Sequence, residues 1–281
     1  MRRAICKLTV SAVLCAGLLG VFAAPAAAQV AVTGGVDFTN QYMFRGIRQN
    51  YSGMAIFPFV DVGGSVFKAD GALKSVTINV GSWNSLHTNQ IDAISGEDKF
   101  YESDFYATLG FGFSKATLGI TYTAYTSPAQ DALYFPTVHG LAFKVTGDDS
   151  GALGKAALHP YGLVEFELTE DGQADIGAEK GVYVELGVAP GYSGKKASVA
   201  FPIKVGLSAK DYYEFGSGSD SKFGYFSVAG IVTAPINPHW NVHGGGELQV
   251  YGDNLKTINA FGDAGDRKYS GIASIGVGFS Y

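Results

Sequence analysis

The sequence is poor in charge, cysteine and methionine, and each shortage narrows the class of protein. Only 16% of the 281 residues are charged, well below the usual ~25%, which excludes a disordered chain and a coiled coil. The chain has 3 methionines and 2 cysteines, and both cysteines, Cys6 and Cys15, precede residue 29. The remainder can form no disulfide, so it needs a large core or a closed hydrogen-bonded sheet for stability outside the cell interior.

The first 28 residues predict a secretory signal peptide. Basic residues at positions 2, 3 and 7 precede an apolar stretch over 8–22, and alanines at 26–28 form a small-residue cleavage site before Gln29. A membrane anchor is the alternative, but the apolar stretch is short for the ~20 residues that a helical span needs. We therefore expect residues 29–281 to form the mature protein as a single domain.

The mature segment is acidic and has no long apolar run. It contains 17 basic and 25 acidic residues, because the leader has three basic residues and no acidic one. This balance argues against a nucleic-acid partner. No apolar run in residues 29–281 is long enough for a transmembrane helix, so any bilayer span must consist of β-strands.

What the sequence has in abundance is glycine, with 39 residues, and aromatics, with 19 Phe, 16 Tyr and 2 Trp. Apolar and polar side chains alternate along many segments, as in residues 117–123, where Leu118, Ile120 and Tyr122 share one face. A period of two with one apolar and one polar face is typical of β-strands. Twelve segments have this pattern: 30–45, 53–67, 73–83, 100–113, 115–126, 136–147, 156–168, 180–190, 197–209, 222–233, 240–251 and 267–281.

The connections between these segments alternate in length. The shorter set is 68–72, 114, 148–155, 191–196 and 234–239, and the longer set is 46–52, 84–99, 127–135, 169–179, 210–221 and 252–266. Short turns on one side, long loops on the other and an even strand count are typical of outer-membrane barrels. The sequence predicts an all-β, antiparallel transmembrane β-barrel of about twelve strands, with short periplasmic turns and long extracellular loops. A β-sandwich is the alternative.

Aromatic residues near the strand ends are expected to mark the two membrane interfaces. The long-loop set is Tyr42, Phe44, Trp83, Tyr101, Tyr212, Tyr213, Tyr251 and Tyr269, and the short-turn set is Phe67, Phe113, Trp240, Phe279 and Tyr281. Pro58 and Pro202 lie inside predicted strands, where each removes a ladder donor, so a bulge or break is expected at both.

The last strand ends with a pattern that resembles the assembly signal of bacterial outer-membrane barrels. Its members are Ser274, Gly276, Phe279 and Tyr281. The resemblance implies the barrel-insertion machinery as a partner, with membrane lipid and lipopolysaccharide around the barrel.

Residues 42–49, which begin Tyr-Met-Phe-Arg-Gly, resemble the opening motif of the TorF-type porins, a family of bacterial outer-membrane β-barrel proteins. That family shows Tyr-x-Phe-Arg-Gly followed by a hydroxyl residue and Gln, and Arg48 replaces the hydroxyl residue here. Residues 81–85 and 102–106 resemble two later elements, Gly-x-Trp-x-Ser and Glu-x-Asp-x-Tyr. The resemblance implies an outer-membrane location and a pore-like role for an unidentified small solute.

The polar face of the predicted strands carries more acidic than basic residues. The predicted lumen-lining set is Asp37, Arg45, Asp61, Glu102, Asp104, Lys144, Glu165, Glu167, Glu185, Lys204 and Glu247. An excess of carboxylates implies water inside, because charged groups buried dry incur a large desolvation cost. We expect a narrow, cation-preferring channel, with Glu165, Glu167 and Glu185 at its constriction. A plugged interior that only stabilises the shell is the alternative.

No motif predicts an enzyme, a cofactor or a metal site. His239 and His243 are four residues apart, which on a strand separates them by roughly 13 Å. Residues 149–156 resemble a phosphate-binding loop only in part and are expected to form a turn. A His–Ser or Asp–His site assembled across strands would instead indicate an outer-membrane enzyme, and large aromatic loop tips would indicate an adhesive barrel. Two acidic loops could bind calcium or bridge lipopolysaccharide through divalent ions, and solvated loops are the alternative: one contains Glu170, Asp171, Asp175 and Glu179, and the other contains Asp263 and Asp266.

Overall fold

The computed structural model describes residues 30–50, 52–89, 99–128, 137–169, 179–214, 221–260 and 265–281. The predicted leader lies outside these residues, as do Glu170, Asp171, Asp175 and Asp263 of the acidic loops. No helix in the described ranges is long and apolar enough to span a membrane.

The protein is a closed antiparallel β-barrel of twelve strands. The strands are β1 Ala31–Thr39, β2 Ala55–Lys68, β3 Leu73–His87, β4 Phe100–Phe113, β5 Ala116–Thr126, β6 Val138–Gly147, β7 Tyr161–Glu167, β8 Val182–Val188, β9 Ile203–Lys210, β10 Phe223–Pro235, β11 Trp240–Tyr251 and β12 Tyr269–Ser280. Short segments Gly191–Ser193 and Ser198–Ala200 continue β8 and β9 at the short-turn end. Each strand pairs with its neighbour in sequence, and β1 pairs with β12 from Thr33↔Ser280 to Thr39↔Ser274. The predicted fold is confirmed.

Side chains alternate between the outer face and the interior along each strand. On β4, Phe105 is 57% exposed and lies on the outer face, whereas the preceding Asp104 is 7% exposed and lies inside. The outer face carries a band of exposed apolar side chains, mostly Val, Leu, Ile and Phe, around the barrel. The alternation follows from the period of two of a pleated strand, and it leaves an apolar outer surface around a polar interior.

Proline interrupts the wall at three points, two of which were predicted. At Pro202 the strand divides into Ser198–Ala200 and β9. At Pro58 strand β2 continues with an unchanged register, but the pairs between Ile56↔Leu86 and Phe59↔Trp83 are missing, and Asn84 Nδ2 donates a hydrogen bond of 3.3 Å to Pro58 O. Pro190, which the sequence pattern did not single out, separates β8 from its continuation.

Two predicted strands are shorter than expected. The first ends at Thr39 rather than at 45, because the chain turns into the barrel there. The seventh begins at Tyr161 rather than at 156, because helix α1, Ser150–Leu153, and a 3₁₀ turn, Gly154–Ala156, occupy the preceding connection.

The connection before β7 is the predicted turn rather than a phosphate site. The backbone N–H groups of Leu158 and His159 donate hydrogen bonds of 3.0 to 3.1 Å to the Asp149 carboxylate. These bonds stabilise the ionised form and lower the pKa of Asp149 below its usual value. Asp149 therefore stabilises the turn through its own carboxylate.

Candidate functional site

A short hairpin folds into the barrel from the β1–β2 connection and occupies its long-loop end. In this inner hairpin, residues 42–49, Met43–Phe44 pairs with Ile47–Arg48. Arg45 and Gly46 form its tip with φ angles of 50° and 83°. Positive φ at both central residues is the signature of a tight two-residue hairpin turn. A Cβ on Gly46 would fall within 2.7 Å of the Tyr225 ring, so glycine is needed there.

Asn259 connects the inner hairpin to helix α2, Asp253–Asn259, through two hydrogen bonds. Asn259 Oδ1 accepts a hydrogen bond of 2.8 Å from Arg48 N, and Asn259 Nδ2 donates one of 2.7 Å to Gly46 O. At the base of the hairpin, the neighbouring Asn50 Oδ1 accepts a hydrogen bond of 2.6 Å from Tyr42 N. Because Asn259 is fully buried, these bonds have no competition from water.

Arg45 lies inside the barrel, but it does not belong to the wall as the sequence analysis expected. Its guanidinium donates to Glu165 Oε2 at 2.5 Å, to the Tyr212 hydroxyl at 2.9 Å and to the Tyr125 hydroxyl at 3.2 Å. The guanidinium carbon also lies 4.5 Å from the centroid of the Tyr183 ring. A planar cation is thus held by a carboxylate, two phenols and aromatic faces.

Tyrosines close the barrel around the inner hairpin. One buried cluster, here termed the tyrosine layer, consists of Ile47, Tyr183, Tyr212, Tyr213, Tyr225, Tyr251 and Leu255. A second consists of Tyr42, Ala55 and Tyr101, with Phe44, Phe57 and Trp83 packed against it. Seven of the aromatics that were predicted at the long-loop membrane interface are therefore in the interior, and that prediction is wrong for them: Tyr42, Phe44, Trp83, Tyr101, Tyr212, Tyr213 and Tyr251. Tyr269 is exposed on the outer face.

Two buried carboxyl groups on β4 lie beneath the Tyr42 cluster. A register shift between β3 and β4 leaves Tyr101 as an extra residue, and both Tyr101 and Glu102 are buried. Glu102 Oε2 accepts a hydrogen bond of 2.7 Å from the Tyr42 hydroxyl. Asp104 Oδ1 is buried and has no hydrogen-bond partner in the described part of the chain.

Glu185 is the centre of a network that connects four strands. It accepts hydrogen bonds from the hydroxyls of Tyr161 (2.7 Å), Tyr183 (2.6 Å) and Tyr225 (2.9 Å). Lys204 Nζ lies 3.9 Å from Glu185 Oε2. The network joins β7, β8, β9 and β10 through one carboxylate.

The three residues predicted at the constriction do not form one ring. Glu165 binds Arg45 and accepts a hydrogen bond of 3.0 Å from the Tyr125 hydroxyl. Glu167 Oε2 accepts a hydrogen bond of 2.7 Å from Gly181 N. Glu185 has the network described above. Glu165 and Glu185 therefore have separate sets of partners, and the basic side chain of Arg45 lies against Glu165.

The other predicted lumen residues lie on inward positions of their strands with mostly neutral partners. Asp61 Oδ1 accepts a hydrogen bond of 2.8 Å from Asn79 Nδ2. Glu247 Oε1 accepts from Ser227 Oγ at 2.5 Å and from Gln249 Nε2 at 2.9 Å. The Lys144 ammonium lies 4.6 Å from the centroid of the Tyr161 ring.

Asp37 pairs with His243 across an intervening strand. The Asp37 Oδ1 to His243 Nε2 distance is 2.5 Å, and Gly276 of β12 lies opposite both residues in the register. A Cβ on Gly276 would collide with both side chains. Glu185, Gly206 and Tyr225 repeat this arrangement on β8, β9 and β10. Inward glycine lets side chains of two non-adjacent strands meet, which is the close approach that strand glycine often marks.

The predicted assembly residues occupy the seam where the barrel closes. Tyr281 N and O form hydrogen bonds of 2.9 Å with Val32, and its ring stacks on His239 at 4.5 Å between centroids. Phe279 packs on Trp240 at 5.3 Å. Ser274 pairs with Thr39, and Gly276 makes room for the Asp37–His243 pair. Their role in assembly stays a prediction.

Several interior residues were missed from sequence. Arg48 donates to Asn50 O at 2.9 Å from a connection that carries no strand period. Arg267 donates to Ser270 Oγ at 2.8 Å and to Gln41 Oε1 at 3.0 Å, and it precedes the last strand, which begins at Tyr269 rather than at 267. His243 has the same parity on β11 as Glu247, so its inward position was available from the alternation. Within the described residues, no group of three or more His, Cys, Asp or Glu side chains is arranged to hold a metal ion.

Comparison with known proteins gives no family. No protein-family model matches the chain, and no curated protein matches it. Among solved structures, the chain is similar to an outer-membrane channel from Pseudomonas putida F1 (10% identity, 93% of this chain and 98% of that chain, TM-score 0.47). It is also similar to outer membrane phospholipase A from Escherichia coli (11% identity, 94% and 96%, TM-score 0.44) and to the NanC porin (11% identity, 89% and 98%, TM-score 0.42). At these values the likeness carries no information about function.

Proposed function

We propose that this protein is a narrow, cation-preferring outer-membrane channel for small solutes, closed at its long-loop end by the inner hairpin. The observation that carries the proposal is the partial exposure of charged side chains inside a closed barrel. The side chains of Asp37, Lys204 and His243 are 32%, 29% and 24% exposed. A dry interior would give these groups no solvent and a large desolvation cost, so the short-turn half of the barrel holds water.

The membrane location is supported by the outer face. Its band of exposed apolar side chains is unfavourable in contact with water and favourable in contact with lipid. We propose that the chain is exported by the cleavable leader, inserted by the barrel-insertion machinery through its final strand, and surrounded by lipid and lipopolysaccharide. Membership of the TorF-type porins, which rests on residues 42–49, 81–85 and 102–106, belongs to the same proposal.

The cation preference is supported by carboxylates whose partners are neutral. Asp61 and Glu247 accept hydrogen bonds from amide or hydroxyl groups, so these contacts leave their negative charge in place. Fixed negative charge in a narrow tube of low dielectric attracts cations and repels anions. The solute therefore carries positive charge or a cationic group.

Planar-bilayer recording of the purified protein tests the channel. Cation over anion permeability is expected at about 0.1 M salt and should weaken near 1 M, where the Debye length falls from ~10 Å to ~3 Å. Asp61→Asn should lower the cation preference, and Asp253→Asn, which changes an exposed carboxylate of α2, should not. Replacing Glu165, Glu167 and Glu185 together with Gln is a less specific test, because Glu165 and Glu185 also hold Arg45 and four tyrosines. Absence of any conductance, or anion preference, would contradict the proposal.

An enzyme remains the alternative of another class, and one pair of residues bears on it. Ser85 Oγ and His87 Nε2 lie 3.0 Å apart in the Tyr42 cluster. A serine nucleophile needs access to substrate and a histidine oriented through its other nitrogen. Ser85 is fully buried, and His87 Nδ1 has no partner among the described residues. The pair therefore does not favour hydrolysis. The adhesive alternative depends on loop tips that lie outside the described residues.

A further inference from the structure

Arg45 occupies a complete recognition site for a planar organic cation. The Phe44, Tyr183 and Tyr212 ring centroids lie 4.7, 4.5 and 5.5 Å from its guanidinium carbon. Glu165 neutralises the charge, and the Tyr125 and Tyr212 hydroxyls accept two further N–H groups at 3.2 and 2.9 Å. Aromatic faces combined with a carboxylate are the groups that proteins use to bind guanidinium and ammonium ligands.

Most of this cage belongs to the barrel and not to the hairpin that supplies Arg45. Tyr125 is on β5, Glu165 on β7 and Tyr183 on β8, and Tyr212 lies in the β9–β10 connection. The Tyr125 hydroxyl donates to Glu165 Oε1 at 3.0 Å, so the wall itself orients the carboxylate. A Cβ on Gly140, between the two, would lie 2.6 Å from Glu165 Oε1, and glycine leaves that bond room. The cage would therefore persist if the hairpin tip withdrew.

The occupant, by contrast, is held in a conformation that its residue type disfavours. Arg45 has a φ of 50°, a region that non-glycine residues rarely adopt. The cation is thus delivered by a strained tip on a two-strand hairpin. Such a ligand can be displaced more readily than one fixed to the wall.

We propose that the cage of Tyr125, Glu165, Tyr183 and Tyr212 is a binding site for small solutes that carry a guanidinium group, and that Arg45 is an internal ligand which the solute displaces. This deepens the proposed channel function and rests on it for its physiological role. The site would be the selective step of the channel, since a guanidinium solute replaces the contacts of the tip that closes the barrel.

Calorimetric titration of the protein in detergent tests the site. Arg45→Ala empties the cage, so it should bind guanidinium chloride, and it should not bind urea, the neutral planar isostere. The double variant Arg45→Ala, Glu165→Gln should bind guanidinium at least about tenfold more weakly, because the charge-assisted bond is lost. Arg48→Ala, in the same hairpin but outside the cage, leaves Arg45 in place as a competitor and should bind guanidinium more weakly than Arg45→Ala, as the unsubstituted protein should. Equal binding of urea, or equal affinity in the double variant, would overturn the site.

Folding of Arg45→Ala is checked by the shift in gel migration between unheated and boiled samples. If it refolds poorly because Glu165 is left buried without its partner, the refolding yield becomes the measurement. The yield should then rise with millimolar guanidinium and not with urea, and no difference between the two would overturn the proposal.

Conductance separates this proposal from the channel itself. Current through Arg45→Ala should fall when guanidinium is added and be unaffected by urea. Guanidinium binding without any conductance would support the site and contradict the channel. Conductance without guanidinium binding would support the channel and contradict the proposed site.

Discussion

At the scale of the residue, inward glycines decide which side chains meet. Asp37 on β1 and His243 on β11 reach each other only because Gly276 of the intervening strand has no side chain. The same holds for Glu185 and Tyr225 across Gly206. The high glycine content is thus explained in part by contacts that cross a whole strand.

Gly276→Ala tests this arrangement. The new Cβ would also lie 2.9 Å from Val36 O, a backbone atom that cannot easily move. We expect a loss of about 1–3 kcal/mol in unfolding free energy, as for overpacking elsewhere. Denaturant unfolding of the refolded barrel measures it. Gly271→Ala on the same strand is the control, since a Cβ there meets nothing within 4 Å. Equal midpoints for the two variants would count against the arrangement.

At the scale of the element, single side chains join strands that are not neighbours in the sheet. Glu185 joins β7, β8, β9 and β10, and it accepts hydrogen bonds on both carboxylate oxygens. Glu247, by contrast, accepts hydrogen bonds from Ser227 and Gln249 on the same oxygen. Asn259 does the same between α2 and the inner hairpin.

Glu185→Gln should therefore destabilise the barrel more than Glu247→Gln. A glutamine keeps one acceptor oxygen, so at least one buried tyrosine hydroxyl loses its acceptor at Glu185, at a cost of about 1–3 kcal/mol. At Glu247 the remaining oxygen can serve both donors. Denaturation midpoints of the two variants compare them directly, and an equal or larger loss at Glu247 would show that the number of acceptor oxygens is not what matters.

Asn259→Leu should loosen the inner hairpin, because a side chain of similar size lacks both hydrogen-bonding groups. We expect a larger or more frequently open conductance in planar bilayers. Thr257→Ala, on the exposed side of α2, is the matched control. Unchanged gating in Asn259→Leu would mean that other contacts hold the hairpin.

At the scale of the whole molecule, closure depends on the pairing of the first and last strands. Tyr281 stacks on His239 and accepts a hydrogen bond of 3.2 Å from Trp240 Nε1 at the short-turn end of this seam. Tyr269, at the other end of β12, is exposed in the same way but lies outside the predicted assembly signal.

Tyr281→Asp should reduce the amount of assembled barrel in cells, because it removes both the terminal aromatic of the signal and its packing at the seam. The measurement is the fraction of protein in the outer membrane that migrates faster unheated than boiled. Tyr269→Asp carries the same change at the other end of the strand and should assemble more efficiently. Equal yields of the two would remove Tyr281 from the assembly signal.

The sequence by itself determined the strand count, the two faces of each strand and the division into long and short connections. These follow from a period of two and from turn composition, which are local properties. Even the break at Pro202 is local, because proline lacks the donor that a ladder requires.

Only the tertiary structure decided what fills the barrel. Arg45 meets Tyr125 and Tyr212 at sequence separations of 80 and 167, and Asn259 meets Gly46 at 213. No local pattern encodes contacts at such distances. An aromatic residue at a strand end is equally compatible with a membrane interface and with an inward-folded plug. Closing the sheet brings the long connections over a common opening, and burial of their tyrosines against the inner hairpin then selects the plug.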